Sequence, residues 1–143
     1  MASSYTEYFQ LNQWAAEDPV LREDFNADNA KLDKVIPRIV TGTYTGDGAA
    51  DRTIQLGFRP KAVLLFPEDG TTCFYYSPPN YFTCQGGLIL DGYPLRLKND
   101  RCNIICAEIT DTGFAVKIFS DQSKAANIAT NRNGTVYHYL ALA

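Results

Sequence analysis

Hydrophobic spacing changes once along this chain, at Pro37, and the change separates two regions that obey different folding rules. Before Pro37, Leu21, Phe25, Asp28, Leu32 and Val35 recur at spacings of 4, 3, 4 and 3, the stripe of a helix that lays one edge on a partner. Asp18 followed by Pro19 predicts the start, since the carboxylate can accept the first free amides and proline suits the first helical position. Glu23 and Asp24 favour the early turns. Pro37 stops the helix near Val35 or Ile36, so its length is about 17 residues and roughly 25 Å.

After Pro37 the period is two. Segments 38–44, 52–58, 61–66, 72–76, 87–90, 102–109, 114–119 and 135–142 read as short strands, with Gly-, Asn- and Asp-rich turns between them. Ile54, Leu56 and Phe58 share one face of their strand, as do Phe114, Val116 and Ile118. Residues 62–66 are apolar on both faces and predict a central strand. In the last segment Val136, His138, Leu140 and Leu142 lie on one side, and Tyr137 and Tyr139 on the other. The apolar side is expected to face inward and to carry His138 as a hydrogen-bonded core or interface group. The expected fold is mainly β, an antiparallel β-sandwich of about eight strands preceded by one N-terminal helix.

Charge supports the same division. Residues 1–38 hold seven of the sixteen acidic groups and four of the thirteen basic ones, so the net charge of −3 resides there. The expected domains are therefore 1–38, an N-terminal extension with its helix, and 39–143, the β head. An acidic chain without a basic run is a poor ligand for nucleic acid. No apolar stretch approaches the roughly 20 residues needed to span a bilayer, and residues 1–10 lack the pattern of a signal peptide. Neither membrane insertion nor classical secretion is expected.

The helical stripe has two readings. A single helix can lay it on the following domain, or identical chains can join along it in a short parallel seam of Leu21, Phe25, Asp28, Leu32 and Val35. Asp28 favours the seam, because a carboxylate buried in a monomer core is costly, whereas polar seam residues fix register. Two and a half heptads would not hold alone, so such a bundle needs support from its flanking domains.

Leu11-Asn12-Gln13-Trp14 followed by residues 21–33 (LREDFNADNAKLD) resembles the helical neck of tail-fibre, baseplate-associated and receptor-binding proteins from bacteriophages and prophages of Gram-positive gut bacteria. Residues 42–48 (GTYTGDG), 52–63 (RTIQLGFRPKAV), Gly113-Phe114 and 133–141 (NGTVYHYLA) are similar to the C-terminal β-domain of such proteins. The resemblance implies a homotrimeric virion component, made in the bacterial cytoplasm without a signal peptide. Its neck would be a three-helix bundle and its head a β-sandwich at a fibre tip, in contact with other phage tail proteins and with host cell-surface carbohydrate. Seventeen residues precede Asp18, in place of the long shaft of a full tail fibre, so a small accessory protein or a prophage remnant is the alternative.

Phe74, Tyr75, Tyr76, Tyr81, Phe82 and Tyr93 fall within twenty positions, around the rigid turn Ser77-Pro78-Pro79-Asn80. Tyrosines beside amide and carboxylate groups suit a sugar, whose C–H faces stack on rings and whose hydroxyls need polar partners. Tyr75, Tyr76, Asn80, Tyr81, Asp91 and Tyr93 are thus the candidate ligand-binding residues. The competing reading puts the same aromatics in the core or in a trimer contact.

No cofactor or metal is expected. Residues 45–51 place Asp47 and Asp51 four apart but offer too few oxygens for a calcium loop. Cys73, Cys84, Cys102 and Cys106 lack zinc spacing, and Cys102 and Cys106, four apart, would stand on one strand face about 13 Å from each other, too far to bridge. Reduced, partly buried thiols are expected. Glu108 with Asp111, or Glu68 with Asp69, could serve glycoside cleavage, but neither pair is distinctive and no nucleophile motif occurs. The favoured reading is a non-enzymatic attachment domain; the alternatives are a structural trimerising cap without ligand and a glycan-cleaving tail enzyme.

Overall fold

The computed structural model describes residues 2–77 and 80–143. The chain divides into two compact units, Met1–Arg38 and Ile39–Ala143. In the first, β1 (Ser4–Tyr5) and β2 (Asn12–Gln13) pair antiparallel ahead of α1 (Arg22–Val35).

The helix begins later than Asp18-Pro19 predicts. The Asp18 carboxylate accepts instead from the amides of Ser3 at 2.9 Å and Ala15 at 2.8 Å, and from the Ser3 hydroxyl, so it ties two loop segments together. Leu21 takes the N-cap position without a side-chain cap. Asp28 is only 8% exposed, but its partners belong to its own chain: the Asn12 amide donates to it at 2.9 Å and Lys31 Nζ lies at 3.2 Å. Asn12 Nδ2 reaches the Asp24 carbonyl at 3.1 Å, and the Trp14 and Phe25 rings meet at 5.0 Å. Leu21, Phe25 and Val35 are exposed, and Leu32 is half-buried.

The second unit is built from β3 (Ile39–Thr45), β4 (Asp51–Gln55), β5 (Ala62–Pro67), β6 (Cys73–Tyr76), β7 (Tyr81–Cys84), β8 (Gly87–Leu90), β9 (Leu95–Lys98), β10 (Asn103–Thr110), β11 (Gly113–Asp121), β12 (Ala126–Ala129) and β13 (Val136–Leu142). The chain is thus mainly β with one helix. A four-stranded antiparallel sheet runs β3-β13-β5-β8. A seven-stranded mixed sheet runs β6-β7-β12-β11-β10-β9, with β4 also on β11 and a parallel step between β7 and β12. Both sheets contribute to one core: Tyr44, Val63, Leu65, Ile89, Tyr137 and Ala141 from the first, and Ile54, Ala107, Phe114 and Val116 from the second. A smaller cluster of Cys84, Leu97, Cys106, Ala126 and Ile128 lies within the curled larger sheet. At Gly113 a Cβ would stand 1.9 Å from the Ile54 carbonyl oxygen, so only glycine admits the approach of β4 to β11.

The faces of β13 are opposite to expectation. Tyr137 and Ala141 are buried with Tyr139 packed beside them, while His138 and Leu140 face solvent. The tyrosines go inside because their hydroxyls find partners there. Tyr137 donates to the Ala129 carbonyl and accepts from the Arg132 amide, Tyr44 donates to the Thr130 carbonyl, and the two rings stack at 4.9 Å. Burial pushes the Tyr137 hydroxyl up from its ordinary pKa.

The outer face of this sheet is consequently apolar. Leu142 lies opposite Ile39 and Ala62, Leu140 opposite Thr41 and Leu64, and Leu64 opposite Leu88. Ile39, Leu64, Leu88, Leu90 and Leu140 are all exposed. Period two also fails inside β10. A bulge between Ile105 and Ala107 turns Cys106 inward, so that Cys106 and Ala107 are buried in succession and Cys102, just before the strand, no longer shares a regular face with Cys106.

Candidate functional site

The predicted aromatic cluster becomes a hairpin at the edge of the larger sheet. β6 and β7 pair antiparallel, with Cys73 opposite Cys84, Phe74 opposite Thr83, Tyr75 opposite Phe82 and Tyr76 opposite Tyr81. Pro78 and Pro79 of the predicted turn lie outside the described residues. On its other side β7 meets β12, so β6 is the terminal strand and projects beyond the core. All four residues of β6 are exposed, with Tyr75 at 53% and Tyr76 at 58%; Phe82 is exposed and Tyr81 half-buried. None of the six aromatics from Phe74 to Tyr93 belongs to either core cluster.

Tyr75 and Phe82, with centroids 4.9 Å apart and planes at 49°, form a wall between two recesses. One, of about 330 Å³, is lined by Cys73, Tyr75 and Phe82 on the hairpin and by Arg96, Leu97 and Lys98 on β9, the strand at the opposite end of the sheet order. The other, of about 360 Å³, is lined by Tyr75, Asn80 and Phe82 with Asp100, Arg101 and Ala125. Both fall at the lower end of ligand-pocket sizes. Asn80 is oriented by the Ser77 hydroxyl, which donates to its Oδ1 at 2.8 Å and leaves the amide nitrogen available. The surface therefore offers ring faces, an amide and three cationic groups, a combination able to stack a sugar ring and hydrogen-bond its hydroxyls or an acidic substituent.

Of the candidates from sequence, Tyr75, Tyr76, Asn80 and Tyr81 come together on the hairpin. Asp91 and Tyr93 lie apart, on the turn from β8 to β9. Asp91 is gripped by Arg59, whose Nη2 and Nε lie 2.7 and 3.3 Å from its two oxygens, and this holds its carboxyl below the usual range. It lines a separate recess that adjoins the first at Arg96. Sequence reasoning missed Phe82 as part of the wall and missed Arg96, Lys98 and Arg101. The signal for the first two cations was the alternation Leu95-Arg96-Leu97-Lys98, a strand with its charged face outward.

The candidate acid–base pairs are engaged elsewhere. Glu108 is 3.5 Å from Lys117 Nζ, and Asp111 accepts from Arg59 Nη1 at 2.5 Å. Asp69 closes a turn by accepting from the amide and hydroxyl of Thr71. Asp47 accepts from the Ala49 amide and from buried Asn131, which makes its loop a hydrogen-bonded turn. Among the described residues no cluster of His, Cys, Asp and Glu could hold a metal ion, and no helix is long and apolar enough to cross a membrane.

No protein-family model matches this chain, and no curated protein or solved structure is significantly similar to it.

Proposed function

We propose that the chain is a non-enzymatic phage or prophage tail component, a trimeric receptor-binding protein whose β-sandwich head recognises a glycan on the host surface. The observation that carries the reading is the Tyr75–Phe82 wall: four clustered aromatics, Phe74, Tyr75, Tyr76 and Phe82, are exposed on an edge hairpin instead of filling the core, beside Asn80, Arg96, Lys98 and Arg101. Exposed rings held by a rigid sheet lose little entropy on binding, and polar neighbours can select among hydroxyl patterns. The resemblance of residues 11–33 and of the β-region segments to phage proteins supplies the virion setting, with other tail proteins as neighbours.

Three copies would join through the exposed helix residues Leu21, Phe25 and Val35 and through the outer face of β3-β13-β5-β8. Stacking contributes on the order of 1 kcal/mol per ring, so each site is weak and three sites supply avidity. That apolar face equally favours the second reading, a structural cap that trimerises without a ligand. An array of bacterial surface glycans, probed with the full chain after its mass is fixed by light scattering, separates the two. Binding that disappears in Tyr75→Ala or Phe82→Ala supports the first. A trimer that binds no glycan supports the second, and a monomer excludes both.

A further inference from the structure

Three of the four thiols converge although they are scattered along the sequence. Cys73 and Cys84 face each other across the β6–β7 pair. The Gln85 amide donates to the Thr72 carbonyl at 2.6 Å, which makes Thr72 and Gln85 a hydrogen-bonded pair and the next pair, Cys73 and Cys84, a non-hydrogen-bonded one. In such pairs Cα atoms stand about 4.5 Å apart, within the range of about 4.4–6.8 Å that a disulfide spans. The two side chains stand directly opposite each other on the same face of the hairpin, and each thiol shifts the ionisation of the other. Behind them the bulge in β10 brings Cys106 against Cys84. Access is graded: Cys73 is exposed, and Cys84 and Cys106 are buried.

We propose that Cys73 and Cys84 form a cross-strand redox pair, oxidised to a disulfide by low-molecular-weight disulfides such as oxidised glutathione, and that this bond locks the base of the aromatic hairpin. Cys73, as thiolate, attacks one sulfur of the small disulfide and expels one small thiolate, which takes up the proton that Cys73 released. Cys84 then loses its proton and attacks Cys73 Sγ in the mixed disulfide, forming the Cys73–Cys84 bond and expelling the second small thiolate, which is protonated in turn. Two electrons and two protons leave the protein, and one small disulfide becomes two thiols. Cys106 is enclosed and has no strand register with Cys84, so it stays reduced.

The bond would close the loop of residues 74–83 and so restrict the strand that carries Tyr75. Because Cys73 lines the first recess, the pair sits within the candidate site, but its chemistry does not depend on what that site binds. Contact with Cys84, followed by burial, raises the Cys73 thiol; contact with Cys106 is the largest influence pushing the Cys84 thiol up to about 12. Both are therefore protonated near neutrality, and the reaction is slow there.

The test incubates the full chain with graded ratios of oxidised to reduced glutathione at pH 8.5, followed by acid quenching, alkylation in denaturant, intact mass and non-reducing peptide mapping. Expected are a fall from four alkylated thiols to two, linked peptides containing Cys73 and Cys84, and Cys102 and Cys106 still alkylated. Cys106→Ser should lose two thiols as the native chain does, and Cys73→Ser none. Four thiols at every ratio, a Cys84–Cys106 link, or an unlinked glutathione adduct on Cys73 would overturn the pair. Amide exchange at residues 74–76 and 81–83 should slow at least about fivefold in the oxidised chain, and unchanged exchange would overturn the lock.

Discussion

The backbone amide of Asn12 donates to the carboxylate of Asp28, sixteen residues later, at 2.9 Å, and this bond latches the short hairpin of the first unit to its helix. It also explains how a monomer tolerates a carboxylate on an otherwise apolar stripe, since Asn12 and Lys31 together satisfy it.

Replacing Asp28 with Ala is expected to expose the Asn12 amide to exchange by about tenfold and to loosen residues 4–13, with the second unit unaffected. The sign with pH follows from its shift. Desolvation raises the Asp28 pKa, but the bonds from Asn12 and Lys31 outweigh it and leave the group lowered. Its contribution is therefore full above the unfolded value of about 3.9 and is lost as pH falls through the lower folded value. Amide exchange of Asn12 measured from pH 6 to pH 3 should show protection falling only below about pH 4; protection independent of Asp28 would remove the latch.

Tyr75→Ala and Phe82→Ala should leave the far-ultraviolet circular dichroism unchanged, because both side chains stand outside the core. Each should weaken glycan binding by about fivefold per site. Titration calorimetry on the full chain gives the change; unaltered affinity in both would shift the site away from the hairpin.

Leu140 and Leu64 are opposed at the centre of the outer sheet face. Introducing Glu at either should break a trimer held through that face into smaller species at micromolar concentration, read by light scattering. A trimer that survives both changes is joined through the helix alone.

Gly113→Ala is expected to destabilise the second unit by about 3 kcal/mol, because the added methyl meets backbone oxygen and no side chain can give way. Urea unfolding followed by tyrosine fluorescence measures it; a loss below about 1 kcal/mol would mean that β4 moves away from β11 at little cost.

Formation of the Cys73–Cys84 bond should accelerate about tenfold per pH unit between pH 7 and 9, as protonated thiols yield thiolate. The group packed against the pair from β10 is Cys106, and from β9 it is the uncharged Leu97, while Arg96 and Lys98 line the recess beside exposed Cys73; the net shift of both thiols is upward. Stopped samples analysed by mass give the rate, and a flat profile would mean a thiolate already formed at neutrality.

The helix and most strands were legible because apolar spacing reports which side of an element is covered. The helix start was misread at Asp18 because a carboxylate caps whichever amides reach it, and those of Ser3 and Ala15 arrive by folding that sequence spacing does not encode. β13 was inverted for a related reason: tyrosine is ambivalent, and only the acceptors at Ala129 and Thr130, brought by another strand, decide that Tyr137 and Tyr44 go inside. β7, β9 and β12 were missed although β6 and β8, equally short, were found: β7 reads as part of the aromatic cluster, Leu95-Arg96-Leu97-Lys98 alternates over only two cycles, and Ala126-Asn127-Ile128-Ala129 holds a single β-branched residue. Within the candidate site the hairpin rings were visible as composition, whereas Arg96, Lys98 and the meeting of Cys84 with Cys106 depend on the curl of the larger sheet and on a bulge.

The pairing of β3 with β13 runs from Thr45 opposite Val136 to Ile39 opposite Leu142, so the first and last strands of the second unit begin and end side by side. A tension applied between Ile39 and Leu142 would open that ladder one rung at a time, as a zipper, instead of shearing all its bonds together. The unit is thus mechanically soft along its own chain ends. A load entering at the hairpin and leaving through Ile39 takes a different path, across the sheets, and does not peel the ladder from its open end. The same adjacency makes the unit a cassette: joined at those two ends, it could be inserted into a surface loop of another protein without prising its host apart.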